Sequence, residues 1–219
     1  MQQLIFVCIF VYFSGVSFSQ KERSVQFVPV FNGQKVELSK KYESDGNWFQ
    51  FESLRFYISA VSISGEKSRW KDPQSLHLID LEDSLSLFIS HEAKNGNRLT
   101  FNIGLDSSTN VSGIMDGDLD PIKGMYWAWN SGYIHLKMVG KSSLVNTLKN
   151  EFEYHLGGYR KPNGTCYRVS LPLTTNSIQL DLKPLFLNHI DLKNTPVIMI
   201  PGKAASQITE SASNLFSIE

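Results

Sequence analysis

Along most of the chain, apolar and polar residues alternate, which is the pattern of a β-strand with one covered face. The clearest example is LRFYI at residues 54–58. Asn-Gly and Asp-Gly dipeptides at residues 32–33 and 45–46 indicate turns between the first short segments. Many short strands at steady spacing, with few helices, predict an all-β fold in the form of a single-domain β-sandwich.

The densest aromatic run, GMYWAWNSGY, begins at residue 124, directly after an acidic loop. Asp120 followed by Pro121 is typical of a helix N-cap and a first helical position, and Gly132 is typical of a stop. We therefore expect one short aromatic-rich helix over residues 121–131.

The two tryptophans of this run would play different roles on such a helix. Trp129 would share an apolar stripe with Met125, whereas Trp127 would point elsewhere. One tryptophan is then a structural anchor, and the other is free for a second role.

After Gly132 the period changes to two, which predicts a strand. Leu136 and Met138 lie on its apolar face, and His135 lies on the opposite face, where we expect it to be solvated. In the later strand EFEYHLG, His155 belongs to the less apolar face. A C-terminal helix is expected over residues 203–216.

Composition and the N-terminus restrict the function classes. Lys plus Arg number 21 and Asp plus Glu number 21, so no basic excess indicates a nucleic-acid partner. The apolar run at residues 4–18 ends in small residues, which predicts a signal peptide at residues 1–19, a domain at residues 20–219 and a periplasmic or secreted location. The run is too short for a stable membrane span. A buried N-terminal strand is the alternative interpretation.

Cys166 is the one cysteine of the expected mature chain, so it can form no internal disulfide. A buried thiol is favoured over an intermolecular bridge or a soft-metal ligand. The chain contains no nucleophile elbow, phosphate-binding loop or HExxH motif, and we do not expect it to be an enzyme. A hydrolase that uses a carboxylate pair of the acidic loop is the distant alternative.

Asp116, Asp118 and Asp120 present carboxylates at alternate positions, an array of oxygen atoms that hard cations favour. Calcium is therefore a candidate ion for this loop. An EF-hand would need glycine at its sixth position and an acid at its twelfth, where this chain has Pro121 and Trp127. A solvated turn in which Asp120 caps the helix is the favoured interpretation.

Around the aromatic run, GLDSSTNVSGIMDGDLDP precedes GMYWAWNSGY and FEYHLGGYRKPNGTC follows it. Together they resemble the MbnP-like family of exported copper-binding proteins, which includes the methanobactin-associated periplasmic protein and its relatives. The resemblance extends from about residue 25 to the C-terminus, with LRFYIS as a supporting block. It implies a β-rich, sandwich-like domain. It also implies that a dihaem enzyme related to cytochrome c peroxidases oxidises a tryptophan to kynurenine, and that histidines and this modified residue hold copper.

The resemblance assigns the copper site residue by residue. His155 matches the family histidine before Leu-Gly, and Trp127 and Trp129 match the paired tryptophans. Either could be the oxidised residue, and Trp127 is preferred because it would lie off the apolar stripe of the helix. Family members tend to carry a histidine in the loop that corresponds to residues 108–110, which read Ser-Thr-Asn here. His77 could replace that ligand. Imidazole suits copper, and the amine of kynurenine adds a nitrogen donor where indole offers only an N–H group.

Two function hypotheses remain open at this point. The first is an exported copper-binding protein matured by oxidation of a tryptophan. The second is a non-catalytic interaction module on the same fold that has lost metal binding. The first predicts stoichiometric copper and the mass gain of kynurenine formation, whereas the second predicts neither.

Overall fold

Two β-sheets pack face to face around one apolar core, which confirms the expected all-β sandwich. The computed structural model describes residues 23–130 and 132–219, so the expected signal peptide at residues 1–19 lies outside the described residues. The strands are β1 Arg23–Phe31, β2 Gln34–Lys35, β3 Lys41–Ser44, β4 Asn47–Ser64, β5 Arg69–Lys71, β6 Leu76–Asp80, β7 Phe88–His91, β8 Arg98–Ile103, β9 Tyr126–Trp127, β10 Gly132–Ser142, β11 Glu151–Gly157, β12 Tyr167–Pro172, β13 Ser177–Asp181, β14 Val197–Ile198 and β15 Phe216–Ile218.

The helices of the described residues are short and lie between strands. The α-helices are α1 Ser107–Val111, α2 Leu182–Pro184 and α3 Lys203–Ser213. Gly117–Leu119 and Pro121–Lys123 are single 3-10 turns, and Leu185–His189 is a π-helical turn that continues α2. The predicted C-terminal helix is therefore confirmed as α3, although it ends before Phe216, which belongs to β15. No helix in residues 23–130 or 132–219 has the length and apolar character to cross a membrane.

The long strand β4 is the spine of the larger sheet, whose order is β12-β8-β4-β10-β11-β14. Strands β3, β5 and β6 pair with the other edge of β4, and β9 pairs with the start of β10. The smaller sheet has the order β15-β13-β1-β2, with β7 also paired to β1. The end of β8 and the start of β10 meet near the middle of β4, where Ile103 lies opposite Ile58 and Leu136 lies opposite Phe56.

The core between the sheets follows the alternation that the sequence predicts. Phe56 and Ile58 of β4 are fully buried, and the ring of Phe27 from β1 lies 6.3 Å from Phe56 and 5.4 Å from Phe101, measured between centroids. Edge-to-face aromatic pairs of this kind add to the free energy gained by burying apolar surface. A second, smaller apolar cluster lies on the outer face of the larger sheet, where Tyr57 and Tyr133 pack beside Trp127.

The predicted aromatic-rich helix at residues 121–131 is wrong. Asp120 does cap a turn, since its Oδ1 accepts a hydrogen bond from the Ile122 amide at 2.9 Å. However, Gly124 takes a left-handed conformation with φ of 67°, and the helix stops after Lys123. The next residues form β9, in which Trp127 pairs with Gly132 of β10. Trp127 and Gly132 are only five positions apart, so the segment is a tight β-hairpin, which the helical spacing of its apolar residues does not reveal.

Candidate functional site

The two histidines expected to share a copper ion lie far apart. His77 of β6 lies opposite Ile58 of β4. His155 of β11 lies opposite Lys137 of β10, which itself lies opposite Arg55 of β4. The two histidines are thus separated by three inter-strand steps of about 4.8 Å each. Because Ile58 and Arg55 are three positions apart in one strand, the imidazoles also lie on opposite faces. The predicted joint His77–His155 site does not form.

His77 takes part in a different arrangement. Its Nε2 lies 2.5 Å from Asp72 Oδ2, and the Asp72 side chain is 5% exposed. Together they line a large cleft of about 1350 Å³ at the edge of the sandwich, which we call the edge cleft. It lies between residues of both sheets, among them Trp70 and His91, whose rings are 5.8 Å apart. Both ring nitrogens of His91 are buried without a hydrogen-bond partner.

The two tryptophans have the opposite placement from the one that the helix predicted. Trp127 is 5% exposed and belongs to the outer-face cluster, whereas Trp129, in the turn after β9, is 65% exposed. Their ring centroids are 5.8 Å apart at an interplanar angle of 46°. Trp127 is thus the anchor and Trp129 the solvent-facing residue.

Trp127 packs directly on the backbone of the HLG segment. A Cβ atom at Gly157 would lie 2.8 Å and 2.9 Å from two carbons of the indole, so only glycine allows this approach. His155 is two positions earlier on the regular strand β11, and its side chain therefore lies on the same face as the indole. The expectation that the indole and this imidazole share one region is consistent with this placement.

Both nitrogens of this pair lack a hydrogen-bond partner. Trp127 Nε1 is buried with none. His155 Nε2 lies 2.9 Å from Glu153 Oε1, but the angles are not those of a hydrogen bond, so the two groups are close without being bonded. Burial, and then the nearby Lys137 charge, lower the pKa of His155 to about 4. The ring is therefore neutral at pH 7, the form in which imidazole binds a metal.

His135 is fully buried rather than solvated, because a bulge interrupts the alternation of β10 between Ile134 and Leu136. Its Nε2 lies 2.5 Å from Asn110 Nδ2, and its Nδ1 lies 2.8 Å from Thr165 Oγ1. Burial lowers the pKa of His135 to about 4, against the smaller opposing effect of the Thr165 carbonyl. Both ring nitrogens are thus occupied by protein groups. Strict alternation in the sequence gives no signal for this bulge.

Asn110 links this buried histidine to a small cleft of about 240 Å³, which we call the indole cleft. Its Oδ1 accepts a hydrogen bond from the Tyr133 amide at 3.2 Å. Trp127 forms one wall, and the exposed Arg160 and Lys161 lie at the rim. Residue 110 belongs to the loop in which the sequence lacks the expected histidine, so that loop approaches His135 and not His77.

The acidic loop does not gather its carboxylates around one point. Asp118 Oδ2 accepts a hydrogen bond from the Leu78 amide at 3.0 Å, Asp120 caps the 3-10 turn, and Asp116 is exposed. The three oxygen groups thus serve different local contacts, and the favoured interpretation of a capped turn fits this geometry better than calcium does.

Cys166 is a free, half-buried thiol. Burial, and then Asp106, raise the pKa of its thiol to about 11, so it stays protonated and is a poor ligand and nucleophile at pH 7. Among residues 23–130 and 132–219, no group of three or more His, Cys, Asp or Glu side chains is arranged to hold a metal ion.

Comparison with known proteins shows the family to which this chain belongs. The sequence model of the MbnP family matches residues 20–200. The chain belongs to the MbnP family. The structure of MbnP from Methylosinus trichosporium superposes with a TM-score of 0.62 at 14% sequence identity, over 82% of this chain and 83% of that one. At this identity the likeness shows the MbnP fold alone. No curated protein sequence matches the chain.

Proposed function

We propose that this MbnP-family protein is an exported, non-catalytic copper-binding protein whose site forms around Trp127 and His155 after Trp127 is oxidised to kynurenine. Family membership supports a methanobactin-associated role in copper handling and a periplasmic location. The observation that carries the residue assignment is the pair of buried nitrogens, Trp127 Nε1 and His155 Nε2, that lack hydrogen-bond partners on one face of the sheet.

The donor chemistry of these residues fits copper only after the indole changes. An indole N–H donates a hydrogen bond and offers no lone pair in the ring plane, whereas the aromatic amine of kynurenine does offer one. His155 would supply a neutral imidazole, which suits copper. Glu153, whose carboxylate lies 2.9 Å from His155 Nε2, would supply an oxygen ligand from the same strand. Copper bound there would supply the metal chemistry of the site, and the strands would hold the three ligand residues in position.

The proposed oxidant is a dihaem enzyme related to cytochrome c peroxidases. Trp127 is held by Gly157 and by the Gly132 pairing, so its ring has one fixed position for the reaction. A fixed ring reduces the entropy lost in the reaction.

An intact-mass and metal analysis tests this function. The protein should be produced with and without a co-expressed dihaem enzyme, and copper should be counted by mass spectrometry of the metal. We expect stoichiometric copper only in the preparation that shows the mass gain of kynurenine formation. His155→Gln and Trp127→Phe should lose copper, whereas the matched variant His77→Gln on the opposite face should retain it. Copper bound equally well by the unmodified protein, or by Trp127→Phe, would contradict the proposal.

The Asn110–His135 contact favours a second candidate function, an interaction module that has lost metal binding. The side-chain amide of Asn110 lies against His135 Nε2, so a histidine at position 110 would bring a second imidazole to that nitrogen. Under this alternative neither preparation binds copper, and Asn110→His, which places a second imidazole beside His135, should confer copper binding on the unmodified protein. No copper in Asn110→His would argue against it.

A further inference from the structure

The exposed Trp129 and the buried Trp127 form a pair whose partners have very different access to solvent. Trp129 is 65% exposed and Trp127 is 5% exposed, yet their ring centroids are only 5.8 Å apart. A protein oxidant can contact the first ring and cannot contact the second, because the indole cleft of about 240 Å³ admits only a small molecule.

The neighbouring tyrosines are poorly suited to carry oxidising equivalents. Tyr133 Oη donates hydrogen bonds to the carbonyl oxygens of Gly113 and Leu119, and Tyr57 Oη donates to that of Asp118. A backbone carbonyl does not take up a phenol proton, so oxidation of either tyrosine would leave the proton with no base to receive it. An indole can lose an electron while keeping its proton, which favours the tryptophan pair over these two buried tyrosines.

We propose that Trp129 is the relay residue through which electrons leave Trp127 for an oxidant bound at the surface. This inference rests on the proposed function, because it assigns a route for the oxidation of Trp127. Trp129 gives one electron to the oxidant, and Trp127 restores Trp129 by giving up an electron of its own. The modified residue is therefore the buried tryptophan and not the exposed one.

The overall chemistry balances with a peroxide-driven haem oxidant. Four electrons leave the indole one at a time through Trp129, four protons pass to water, and two water molecules supply the two oxygen atoms of N-formylkynurenine. Two hydrogen peroxide molecules accept these electrons and protons at the haem and become four water molecules. Hydrolysis of the formyl group then releases formate and leaves kynurenine at position 127.

A photo-oxidant isolates the relay from the identity of the natural enzyme. The purified full chain is illuminated with tris(bipyridine)ruthenium and a cobalt(III) quencher, and oxidised residues are located by peptide mass spectrometry. The ruthenium complex is too bulky for the indole cleft. We expect oxidation products at Trp127 in the wild type, and a loss of about tenfold or more in their rate of formation in Trp129→Phe.

The control is Trp48→Phe, which removes a partly exposed tryptophan of β4 that lies under Lys41, 4.6 Å from ring centroid to Nζ. This variant should oxidise Trp127 at the wild-type rate, and thermal melts should show that both variants are folded. Oxidation of Trp127 at an unchanged rate in Trp129→Phe would overturn the relay, as would products confined to Trp129 in the wild type. Copper is then measured on wild-type protein in which peptide mass spectrometry shows kynurenine at position 127: no bound copper there would refute the proposed function and leave the relay standing.

Discussion

The two clefts of this protein differ in size and in how firmly they hold an aromatic ring, and the smaller cleft holds its ring more firmly. The edge cleft of about 1350 Å³ lies between the margins of the two sheets, whereas the indole cleft of about 240 Å³ lies on closely packed backbone. Both contain buried nitrogens without hydrogen-bond partners, on His91 in the first and on Trp127 in the second. Only in the second is the ring fixed by a glycine that nothing larger can replace. Rigid placement, more than volume, distinguishes a site built for chemistry.

The largest expected difference between the clefts comes from removing their indoles. Trp127→Ala deletes a side chain that is 5% exposed, and it should lower the free energy of unfolding by about 3–5 kcal/mol. Trp70→Ala removes a half-buried ring of the edge cleft and should cost less, because less apolar surface returns to water. Urea unfolding followed by circular dichroism measures both values. Equal losses in the two variants would show that the indole cleft is no better packed than the edge cleft.

The next largest effect concerns the pH dependence of stability, in which His135 beside the indole cleft is compared with His91 of the edge cleft. Burial lowers the pKa of His135 from its ordinary value of 6.5 to about 4 in the folded protein. As the pH falls, the unfolded chain binds this proton first, so the stability present above pH 6.5 is lost progressively between pH 6.5 and 4, by about 2–3 kcal/mol.

Two matched variants test this assignment. His135→Gln should reduce the slope of the stability profile over this pH window, since glutamine carries no titrating group, and His155, whose pKa is also lowered to about 4, should account for most of the slope that remains. Burial, and then Arg23, also lower the pKa of His91, so His91→Gln should change the profile in the same direction and by less. Unfolding curves collected at intervals from pH 7 to pH 4 give the comparison. A profile of His135→Gln that matches the wild type would contradict the buried, neutral state of His135.

The smallest expected effect concerns two glycines, Gly157 under the Trp127 indole and Gly96 in the lining of the edge cleft. A Cβ at Gly157 would lie 2.4 Å from the Tyr133 carbonyl oxygen, which is backbone and cannot move away cheaply. Gly157→Ala should therefore cost about 1–3 kcal/mol and shift the fluorescence of Trp127. A Cβ at Gly96 would lie 2.3 Å from a methyl group of the Ile63 side chain, and its nearest backbone atom, the Ser64 carbonyl oxygen, would be 3.4 Å away, so the backbone there needs to move less. Thermal melts of both variants should show the larger decrease for Gly157→Ala.

Much of the fold was predictable from residue patterns, because its core obeys simple alternation. The inward positions of β4, the turn capped by Asp120 and the helix α3 all follow from local signals. The resemblance also supplied His155 and the paired tryptophans, of which the structure places Trp127 on the face of His155, whereas the preference for Trp127 rested on a helical stripe that does not form.

The site itself was predicted less well, because a hairpin, a β-bulge and a tertiary contact replace the regular helix and strand that the periods predict. The pairing of Trp127 with Gly132 converts an expected helix into a strand and reverses the roles of the two tryptophans. The bulge in β10 buries His135, which strict alternation places in solvent. Asn110 then reaches His135 from a loop 25 positions away, a contact that no sequence period encodes.

The contact between Trp127 and Gly157 also bears on whether folding or the proposed oxidation comes first. The floor beneath the indole exists only once β11 has joined β10, so a nascent or misfolded chain presents both tryptophans to any oxidant without distinction. Under the proposed function, selective oxidation of one ring would therefore come only after the sandwich has closed. Kynurenine at position 127 would then be found only in molecules that had already folded.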